Sequence, residues 1–421
     1  MLSTLDGVPQ HDRLARLGLP NRADATGVSA RQADIDLVSK APYPYLDTTH
    51  FDTVRFPPPP WAIAAFKSAA LDGSLAYTGY RGNADVLAVV ADTVSGFLGI
   101  QVEPNAHLIL TPGTQGGLFA ALASLVENGS KVALLDPDYL FSERILGFLG
   151  AEVLNVVLRL DDGEPSPDLE ALEDVFRAGA RVFVFSHPHN PTGAVFSKSV
   201  IKQIATLAQR YDVTVVVDEL YARLIYDGPF CHLASEQGMF ERTVTLLGPS
   251  KTESLSGYRL GVVVAPKNII ARIEDVLSIT ALRAPAYAQH VLVPWLRADH
   301  DWLAERLDSF RTLRNLTEQQ LRRLPWLRLK MQRGTAYAWP DVSALGISGP
   351  DLAAALLQEA QILVSPGYQF GPLSEGHFRI CYARDEAEWI SALHRIVDVL
   401  DKLAKARRLP SADVAYGTKQ T

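Results

Sequence analysis

The chain has 421 residues, 48% of them hydrophobic, which is enough for one large and one smaller domain, because single cores stop growing beyond roughly 250–300 residues. Its 40 basic and 47 acidic residues give a net charge of −7, and the lack of a long basic run favours small-molecule partners over nucleic acid, which needs a basic surface. Two distant cysteines, no export signal and no apolar run near the ~20 residues of a membrane helix predict a soluble protein of a reducing cytoplasm.

Residues 1–60 form the first unit of the predicted organisation, and residues 1–40 of it are polar and mixed in character. We expect them to form an arm, with one helix over Ala30–Lys40, and a segment that leads into the body and packs with the smaller domain. The prolines at 57–60 end this segment. A helix over Trp61–Leu71 is expected just after them, since proline is favoured at the start of a helix.

From residue 105 onward, short β-branched runs alternate with helical segments. The predicted strands are His107–Leu110, Lys131–Leu135, Val153–Val157, Arg181–Phe185, Val213–Val217, Thr243–Leu247 and Leu260–Val264. The predicted helices among them are Gly116–Val126, Phe141–Leu149, Leu169–Phe176 and Ser199–Tyr211. This alternation predicts βαβ units and a mostly parallel sheet with both faces buried, so residues 61–290 are expected to form one large α/β domain.

Beyond Lys267 the pattern becomes mainly helical, and short strand-like pieces follow. We expect a smaller α+β domain over 291–405 and a loose tail over 406–421. The expected elements are a helix over Asp299–Leu324, strands over Leu327–Met331, Thr335–Trp339 and His377–Tyr382, and a helix over Glu386–Ala404.

A turn of small residues, Gly113-Thr114-Gln115, joins a predicted strand to a predicted helix. The first amides of a helix have no partner within it, and the helix dipole favours an anion there. The turn is therefore a candidate phosphate site. An ordinary turn with Thr114 as the helix cap would give the same pattern.

Two further strand ends carry polar side chains. Prolines flank Asn190 and fix its loop, so its amide could donate to a ring oxygen, although Asn-Pro-Thr-Gly is also a common turn. Asp218 stands at the tip of an apolar strand, where a carboxylate is costly to bury without a cation. His187 and His189 lack a third ligand nearby and are interpreted as loop residues, so no metal site is expected.

The segment Val244–Gly261 places Lys251 after an apolar run and Arg259 eight positions later. A lysine can form an imine, and an arginine can hold a phosphate. Taken alone, Lys251 fits a solvated loop lysine better, as most lysines are.

A phosphate turn, a fixed asparagine, a strand-end aspartate, a lysine and an arginine occur here in the order found in a known family. With the motifs Asn190-Pro-Thr-Gly, Asp218-Glu-x-Tyr and Ser-Lys251, the chain resembles the fold-type I aminotransferases of class I and II, which use pyridoxal 5′-phosphate (PLP). The resemblance covers about Ala30 to Leu403. It implies an α/β protein of the PLP-dependent transferase fold type I, with a large mostly parallel-sheet domain and a smaller C-terminal α+β domain.

The resemblance also implies roles around the cofactor ring. Lys251 resembles the lysine that forms the imine and later moves the proton at the substrate α-carbon, and Asp218 resembles the partner of the pyridinium nitrogen. Asn190 and Tyr221 resemble the hydrogen-bond partners of the ring's phenolate oxygen. Tyr139 resembles the aromatic residue that stacks on the ring.

Phosphate and substrate ligands follow from the same resemblance. The implied phosphate ligands are Gly113, Thr114, Gln115, Ser250, Arg259 and, reaching across a homodimer with shared active sites, Tyr77. Arg379, preceded by Pro366-Gly-x-x-Phe-Gly, resembles the arginine that binds the substrate α-carboxylate bidentately, with Asn190 beside it. Alone, Arg379 could also be a surface strand arginine.

Three positions depart from the family pattern. Gly248 stands where a serine is usual, so either Ser250, Thr114 or water supplies the missing phosphate hydroxyl, or PLP is held less tightly. The loop Leu46–Asp52 is bulkier than usual, and its His50 is either a substrate contact or a packed loop residue. Arg283 replaces a serine, and it is either a contact to a substrate side-chain carboxylate across the dimer or an interface salt bridge.

The expected activity is transfer of an amino group between an α-amino acid and a 2-oxo acid. A C–S lyase, a synthase, or an amino-acid oxidase or cyclase on the same fold is the nearest alternative, because motifs do not encode the pocket details that decide between them. A regulatory module that binds PLP without turnover is a remote alternative, since the N-terminal segment is short and not basic. The amino donor and the acceptor stay open.

Overall fold

The computed structural model describes residues 44–51, 56–71, 76–160, 163–297 and 300–412, together with Arg13 and Arg16. The helix expected over Ala30–Lys40 and the end of the expected tail lie outside the described residues. Within the described ranges, no helix is both long enough and apolar enough to cross a bilayer.

Strands and helices alternate along most of the described chain. The strands are β1 (Leu46–Asp47), β2 (Leu108–Pro112), β3 (Lys131–Asp136), β4 (Glu152–Arg159), β5 (Ser166–Pro167), β6 (Val182–Ser186), β7 (Thr214–Asp218), β8 (Thr243–Leu247), β9 (Leu260–Val264), β10 (Tyr337–Ala338), β11 (Ile362–Leu363), β12 (Ser365–Pro366) and β13 (Phe378–Cys381). The α-helices are α1 (Pro60–Leu71), α2 (Ala84–Leu98), α3 (Gly113–Leu125), α4 (Leu140–Leu149), α5 (Leu169–Arg177), α6 (Lys198–Arg210), α7 (Lys267–Thr280), α8 (Ala286–Gln289), α9 (His300–Leu321), α10 (Gly349–Ala355) and α11 (Glu386–Ala406). The strands and helices predicted between 107 and 264 are confirmed, with ends that shift by a few residues.

The large sheet has eight strands in the order β2-β9-β8-β7-β6-β3-β4-β5. Strands β8, β7, β6, β3 and β4 are parallel neighbours, whereas β9 is antiparallel to both β2 and β8, and β5 is antiparallel to β4. The expected mostly parallel sheet is therefore confirmed.

Both faces of this sheet are buried, because alternate residues of a strand point to opposite sides. In β6, Phe183 and Phe185 pack in a cluster with residues of α5 and α6. Val182 and Val184 pack in a second cluster, with residues of α3, α4 and α7. The continuous apolar runs of the sequence thus reflect strands that are covered on two sides.

The chemically important loops meet at the carboxyl edge of the large sheet. Ser186 at the end of β6 pairs with Asp218 at the end of β7, and Pro112 at the end of β2 pairs with Leu260 at the start of β9. Because β9 is reversed, its amino end lies at the same edge as the carboxyl ends of the parallel strands. Open α/β sheets bind their ligands at this edge.

The C-terminal part packs α9 and α11 against a small sheet of order β10-β13-β12. The Trp389 indole N–H donates to the Thr317 hydroxyl at 2.8 Å, which ties the two helices together. The predicted helices over Asp299–Leu324 and Glu386–Ala404 are confirmed, and the last two predicted strands are confirmed in shorter form as β10 and β13. Strand β1 pairs with β11, so the start of the described chain packs with this part.

The strand predicted over Leu327–Met331 is wrong. Arg328 forms an isolated β-bridge with Asp341, and no ladder extends from it among the described residues. Leu327 and Met331 are buried in the C-terminal core. The apolar spacing that suggested a strand therefore belongs to a loop packed on that core.

Helix α2 was not indicated by the sequence pattern. The Asn83 side chain accepts the amides of Asp85 and Val86 at its start, and Gly99 ends it in the left-handed conformation with φ of 69°. Asparagine and glycine are favoured at these two positions. The capping residues were thus the signal that could have located this helix.

Candidate active site

A cavity of about 300 Å³ lies between the carboxyl edge of the large sheet and residues of the C-terminal part. The predicted site residues that line it are His50, Thr114, Gln115, Tyr139, Asn190, Asp218, Tyr221, Ser250, Lys251, Arg259 and Arg379. Gly113 lies beside it, against the Arg259 side chain. Among the described residues, Tyr77 and Arg283 lie outside the lining of this cavity.

One end of the cavity has the character of an anion site. Helix α3 starts at Gly113, and no side chain of its N-cap Pro112 satisfies the first amides. Thr114 does not cap the helix, since its Oγ1 is directed at the Leu247 carbonyl at 3.5 Å. A Cβ at position 113 would lie 2.4 Å from Nη2 of Arg259, so glycine lets the guanidinium lie against the helix start.

Gly248 is packed against the same region. A Cβ at this position would lie 3.0 Å from Thr114 Oγ1 and 3.1 Å from the Leu260 carbonyl oxygen, so a serine would force its neighbours to move. The Thr114 hydroxyl lies beside that position, and Ser250 also lines the cavity. Two hydroxyl groups therefore remain near the start of α3.

Lys251 follows β8 and lies against an aromatic ring. Its Nζ is 5.9 Å from the centroid of Phe51. Burial, with a smaller effect from nearby Arg379, lowers the pKa of the Lys251 amine below its ordinary value. The neutral form that this shift favours is the nucleophilic form of an amine.

Asp218 ends β7, and its Oδ1 accepts the Leu220 amide N–H at 3.1 Å. Burial raises the pKa of this carboxyl to about 7, and the charges of Asp138 and Glu219 act in the same direction. A protonated ring nitrogen in the cavity would oppose this shift, because an adjacent cation stabilises the carboxylate.

Two tyrosines of the predicted site have hydrogen-bonded hydroxyl groups. The Tyr221 hydroxyl lies 2.9 Å from that of Tyr337, and the Tyr139 hydroxyl donates to Gln115 Oε1 at 3.0 Å. Burial raises the pKa of both Tyr221 and Tyr139 far above the ordinary value of a phenol. Both groups are therefore neutral near neutral pH.

Asn190 and Arg379 are joined by a hydrogen bond from Arg379 Nη1 to Asn190 Oδ1, at 2.6 Å. A guanidinium can only donate, so the oxygen of the Asn190 amide faces Arg379 and its NH₂ group is left for another acceptor. Asn190 lines the cavity. Its orientation is thus the one that a hydrogen-bond donor to a cavity ligand requires.

Arg379 is held between two rings. Its guanidinium carbon lies 4.2 Å from the centroid of Tyr337 and 4.7 Å from that of Phe370, and Nη2 donates to the Thr49 carbonyl at 2.5 Å. The residue is 5% exposed, which excludes the surface-arginine alternative. A buried guanidinium bonded to carbonyl and amide oxygens, without a carboxylate among them, suits a carboxylate ligand.

The 46–51 part of the predicted loop is fixed to the C-terminal strand. Arg384 donates to the carbonyls of Asp47 and His50. The His50 side chain is exposed toward the cavity, with Nδ1 3.4 Å from Asp47 Oδ2. Phe51, not His50, is the packed residue of this loop, since it is buried against Tyr221.

Tyr77 and Arg283 form a pair on the surface. The Arg283 guanidinium lies over the rings of Tyr77 and Tyr80, at 4.8 and 4.4 Å, and its Nε donates to the Thr78 carbonyl at 2.6 Å. Tyr77 is 83% exposed. A large ring held rigidly at a surface is typical of a contact with another protein.

Sequence reasoning missed Tyr337, Phe370 and Thr49. Phe370 lies within the Pro-Gly-x-x-Phe-Gly motif, which offered a signal for it. Tyr337 reaches the cavity because β10 pairs with β13, with Tyr337 opposite Cys381. No local pattern reveals such a pairing.

His187 and His189 are buried below the site. His187 Nε2 accepts the Phe196 amide at 2.9 Å, and its ring stacks between Phe196 and Phe230. His189 Nδ1 lies 2.8 Å from Thr192 Oγ1. Both residues hold the loop after β6, and the part of the chain that the structure describes contains no group of three or more His, Cys, Asp or Glu placed to hold a metal.

The sequence matches the family model described as aminotransferase class I and II over residues 48–396. Relatives include an aspartate aminotransferase of Pyrococcus horikoshii, 29% identical over 80% of this chain and 86% of that protein. Aromatic-amino-acid aminotransferase 2 of Thermococcus litoralis is 28% identical over 83% of this chain and 90% of that protein. The solved structure of an aspartate aminotransferase from Rhodobacter sphaeroides is 35% identical, with coverage of 93% of this chain and 98% of that chain and a TM-score of 0.84.

Proposed function

The chain belongs to the class I and II aminotransferases, and from this membership we propose that it uses pyridoxal 5′-phosphate to move amino groups between an α-amino acid and a 2-oxo acid. The observation that carries the proposal is the convergence of Lys251, Asp218 and Arg379 on one cavity. They supply an amine for covalent attachment, a carboxyl for a ring nitrogen and a guanidinium for a substrate carboxylate.

The donors around the cavity fit PLP from end to end. At the phosphate end, the proposed ligands are Gly113, Thr114, Gln115, Ser250 and Arg259, and Tyr77 would reach across a homodimer. The Gly113 amide donates to the Arg259 carbonyl at 2.9 Å, so the following amides of α3, which no side chain caps, and the Arg259 guanidinium together suit a dianion.

The remaining contacts are proposed for the ring. Asp218 would bind the ring nitrogen, where a cation favours its charged form. The Asn190 amide and the Tyr221 hydroxyl would donate to the phenolate oxygen. Tyr139, whose hydroxyl is anchored on Gln115, would stack on the ring face.

When bound, PLP supplies an electron-withdrawing ring that makes the substrate α-hydrogen acidic. Lys251 has a lowered pKa, so its Nζ can accept and hold the proton that the substrate α-carbon loses. Arg379 would bind the α-carboxylate, and its fixed place between Tyr337 and Phe370 would orient the α-carbon toward Lys251. His50, at the cavity opening, is a candidate contact for the substrate side chain.

Family membership and the names of the relatives favour transamination over a C–S lyase, a synthase, an oxidase or a cyclase. They also favour an enzyme over a regulatory module that binds PLP without turnover. We further propose a homodimer in the cytoplasm, with domains bounded near residues 60, 290 and 405.

Visible absorption of the PLP-loaded protein tests this function directly. The spectrum is recorded before and after amino acids are added without an oxo acid, and the panel includes aspartate and aromatic amino acids because the relatives carry these names. We expect the band of the lysine-bound cofactor to give way to that of its amino form and to return when 2-oxo acids are added. Lys251→Ala is the control and should show no lysine-bound band.

Two results would contradict the proposal in different ways. Release of ammonia, pyruvate or peroxide in place of a reversible change would favour the lyase or oxidase alternatives. The absence of any lysine-bound band in the wild-type protein after PLP is added would overturn the assignment of Lys251.

A further inference from the structure

Two aspartates flank Pro137 at the point where β3 ends, and both are buried. Asp136 and Asp138 are 2% exposed and face different parts of the molecule. Each carboxylate accepts hydrogen bonds from a segment distant in the sequence. Their partners lie next to the proposed cofactor and substrate ligands.

Asp138 connects the loops that follow β3 and β6. Its Oδ1 accepts the Tyr139 amide N–H and, at 3.1 Å, the Ser186 hydroxyl, and its Oδ2 accepts the Ser186 amide at 3.0 Å. Ser186 Oγ in turn accepts the backbone N–H of Asn190 at 3.0 Å. Asp138 therefore fixes the backbones of two residues that are proposed to contact the cofactor ring.

Asp136 connects β3 to the C-terminal part. Its carboxylate accepts the Ser374 hydroxyl at 3.3 Å and the Leu373 amide N–H at 3.4 Å. Gly371 lies so close that a Cβ there would be 2.2 Å from Asp136 Oδ1. The segment 371–374 is therefore docked on this one carboxylate.

The segment 371–374 continues from the residue that packs on the substrate arginine. Phe370 directly precedes Gly371, and its ring lies 4.7 Å from the Arg379 guanidinium carbon. The Phe370 carbonyl accepts the Asp138 amide at 2.9 Å. A shift of 371–374 would thus move Phe370 and change the wall that holds Arg379.

A cavity lies beside part of this segment. A second cavity, of about 310 Å³, is lined by Asp136, Leu373, Ser374 and Trp339 among others. Leu373 is largely exposed. The hydrogen bonds to Asp136 therefore act together with the buried contacts of Ser374, whose carbonyl lies against Gly367, to set where the segment lies.

We propose that Asp136 and Asp138 are positioning residues with separate effects: Asp138 places the loops that hold the cofactor, and Asp136 places the segment that holds Arg379 for the substrate. The inference rests on the proposed function, since it takes PLP as the cofactor and Arg379 as the carboxylate ligand. Both aspartates act through other residues.

The test separates cofactor affinity from substrate affinity. The Kd of PLP is measured by fluorescence titration of the cofactor-free protein, and KM and kcat for the best amino acid are measured at saturating PLP. Asp136→Ala and Ser374→Ala should raise KM roughly tenfold, with the Kd of PLP within about twofold of wild type. Asp138→Asn and Ser186→Ala should raise the Kd of PLP roughly tenfold, with a clearly smaller rise in KM, since Asn190 also contacts Arg379.

Two further variants distinguish positioning from general damage. Asp136→Asn keeps an oxygen that can accept the Leu373 amide, so it should recover most of the lost substrate affinity. Ser235→Ala is the matched control, because the Ser235 hydroxyl donates to the His232 carbonyl away from the cavity. This control should change neither constant.

The possible failures can be told apart. A wild-type protein that takes up no PLP, or that binds it without transamination, would contradict the proposed function and this inference with it. A wild-type protein that does both, with variants that shift Kd and KM together or shift neither, would overturn this inference alone.

Discussion

Lys251 lies where burial and the charge of Arg379 both favour an uncharged amine. We expect Lys251→Ala to lower kcat by roughly 10,000-fold, because it removes both the proposed covalent anchor and the proposed proton acceptor. Lys267→Ala, at the exposed start of α7, should leave kcat unchanged. Steady-state rates and borohydride trapping of PLP with peptide mass spectrometry check both. Trapping on a different lysine in the wild-type protein would remove Lys251 from the mechanism.

Burial raises the pKa of the Asp218 carboxyl to about 7, which predicts that the stability of the cofactor-free protein depends on pH. An aspartate in an unfolded chain has a pKa near ~4. Between these values the folded protein binds one more proton than the unfolded chain, so the free energy of unfolding falls as pH rises, by at most about 1.4 kcal/mol per pH unit.

Asp218→Asn should remove this part of the slope. Urea unfolding of the cofactor-free wild type and variant, from about pH 5 to about pH 7, measures it. Asp136, whose pKa burial raises to about 6, titrates in an overlapping range but is present in both proteins, so the difference isolates Asp218. Equal slopes for the two proteins would show that Asp218 is charged throughout this range.

The flat face of the Arg283 guanidinium packs on the rings of Tyr77 and Tyr80, and its Nε donates to the Thr78 carbonyl. Its two terminal nitrogens are therefore placed to bind a ligand across the proposed dimer. If they bind a substrate side-chain carboxylate, Arg283→Ala should lower kcat/KM for acidic amino acids at least roughly tenfold relative to neutral ones. Competition between acidic and neutral donors measures the ratio. An unchanged ratio would leave Arg283 as an interface residue that positions Tyr77.

Three of the predicted site residues share one property. Asn190, Asp218 and Lys251 each follow closely after an apolar strand, so their chemistry and their place in the fold can be inferred from local sequence. Tyr337 and Asp138 could not be identified, because their importance depends on contacts with segments far away in the chain.

Helix α9 supports the lysine loop through one buried arginine. Arg306 donates to the Thr252 carbonyl at 2.7 Å, the Ser254 hydroxyl at 2.8 Å and the Pro57 carbonyl at 3.0 Å. Burial lowers the pKa of its guanidinium to about 10. This side chain therefore joins α9, the loop after Lys251 and the segment before α1.

Removal of that side chain should cost both stability and cofactor affinity. We expect Arg306→Ala to lower the free energy of unfolding by about 3 kcal/mol, because buried carbonyl groups lose their donors. Arg322→Ala, an exposed residue just beyond α9 that pairs with Glu318, should cost less than about 0.5 kcal/mol. Urea unfolding and PLP titration compare the two, and equal losses would contradict a special role for Arg306.

The strands of the large sheet could be predicted because each is a short apolar run covered on both faces. The direction of β9 was not predicted, yet the sequence held a signal for it. Parallel neighbours need a long crossover, usually a helix, and only the loop 248–259, without an α-helix, separates β8 from β9. α2 had a signal as well, in its caps and not in its periodicity.

At the scale of the whole molecule, several large apolar side chains besides Tyr77 are exposed. They include Ile63 of α1, Tyr287 of α8, whose ring packs on Phe66 of α1, and Leu282, which directly precedes the arginine that lies over the Tyr77 ring. Such a patch is typical of a contact between subunits. It is consistent with the proposed homodimer, in which Tyr77 completes the phosphate site of the other subunit.

Mixed dimers test whether the sites are shared. Lys251→Ala and Tyr77→Ala proteins should each be weakly active, but a mixed dimer would contain one site with both residues intact. Random exchange of subunits should therefore restore roughly a quarter of wild-type sites. Activity after unfolding and refolding the two variants together, compared with each refolded alone, measures this gain. No gain would mean that Tyr77 serves its own subunit or none.

The loop 248–259 joins β8 to the reversed strand β9 and carries Lys251 near one end and Arg259 at the other. One continuous length of backbone thus sets the distance between the Lys251 amine and the Arg259 guanidinium. We expect this distance to match the distance between the aldehyde and the phosphate of PLP. A residue inserted between 252 and 258 would change that distance, so the cavity could then bind the aldehyde end or the phosphate end of PLP, but not both at once.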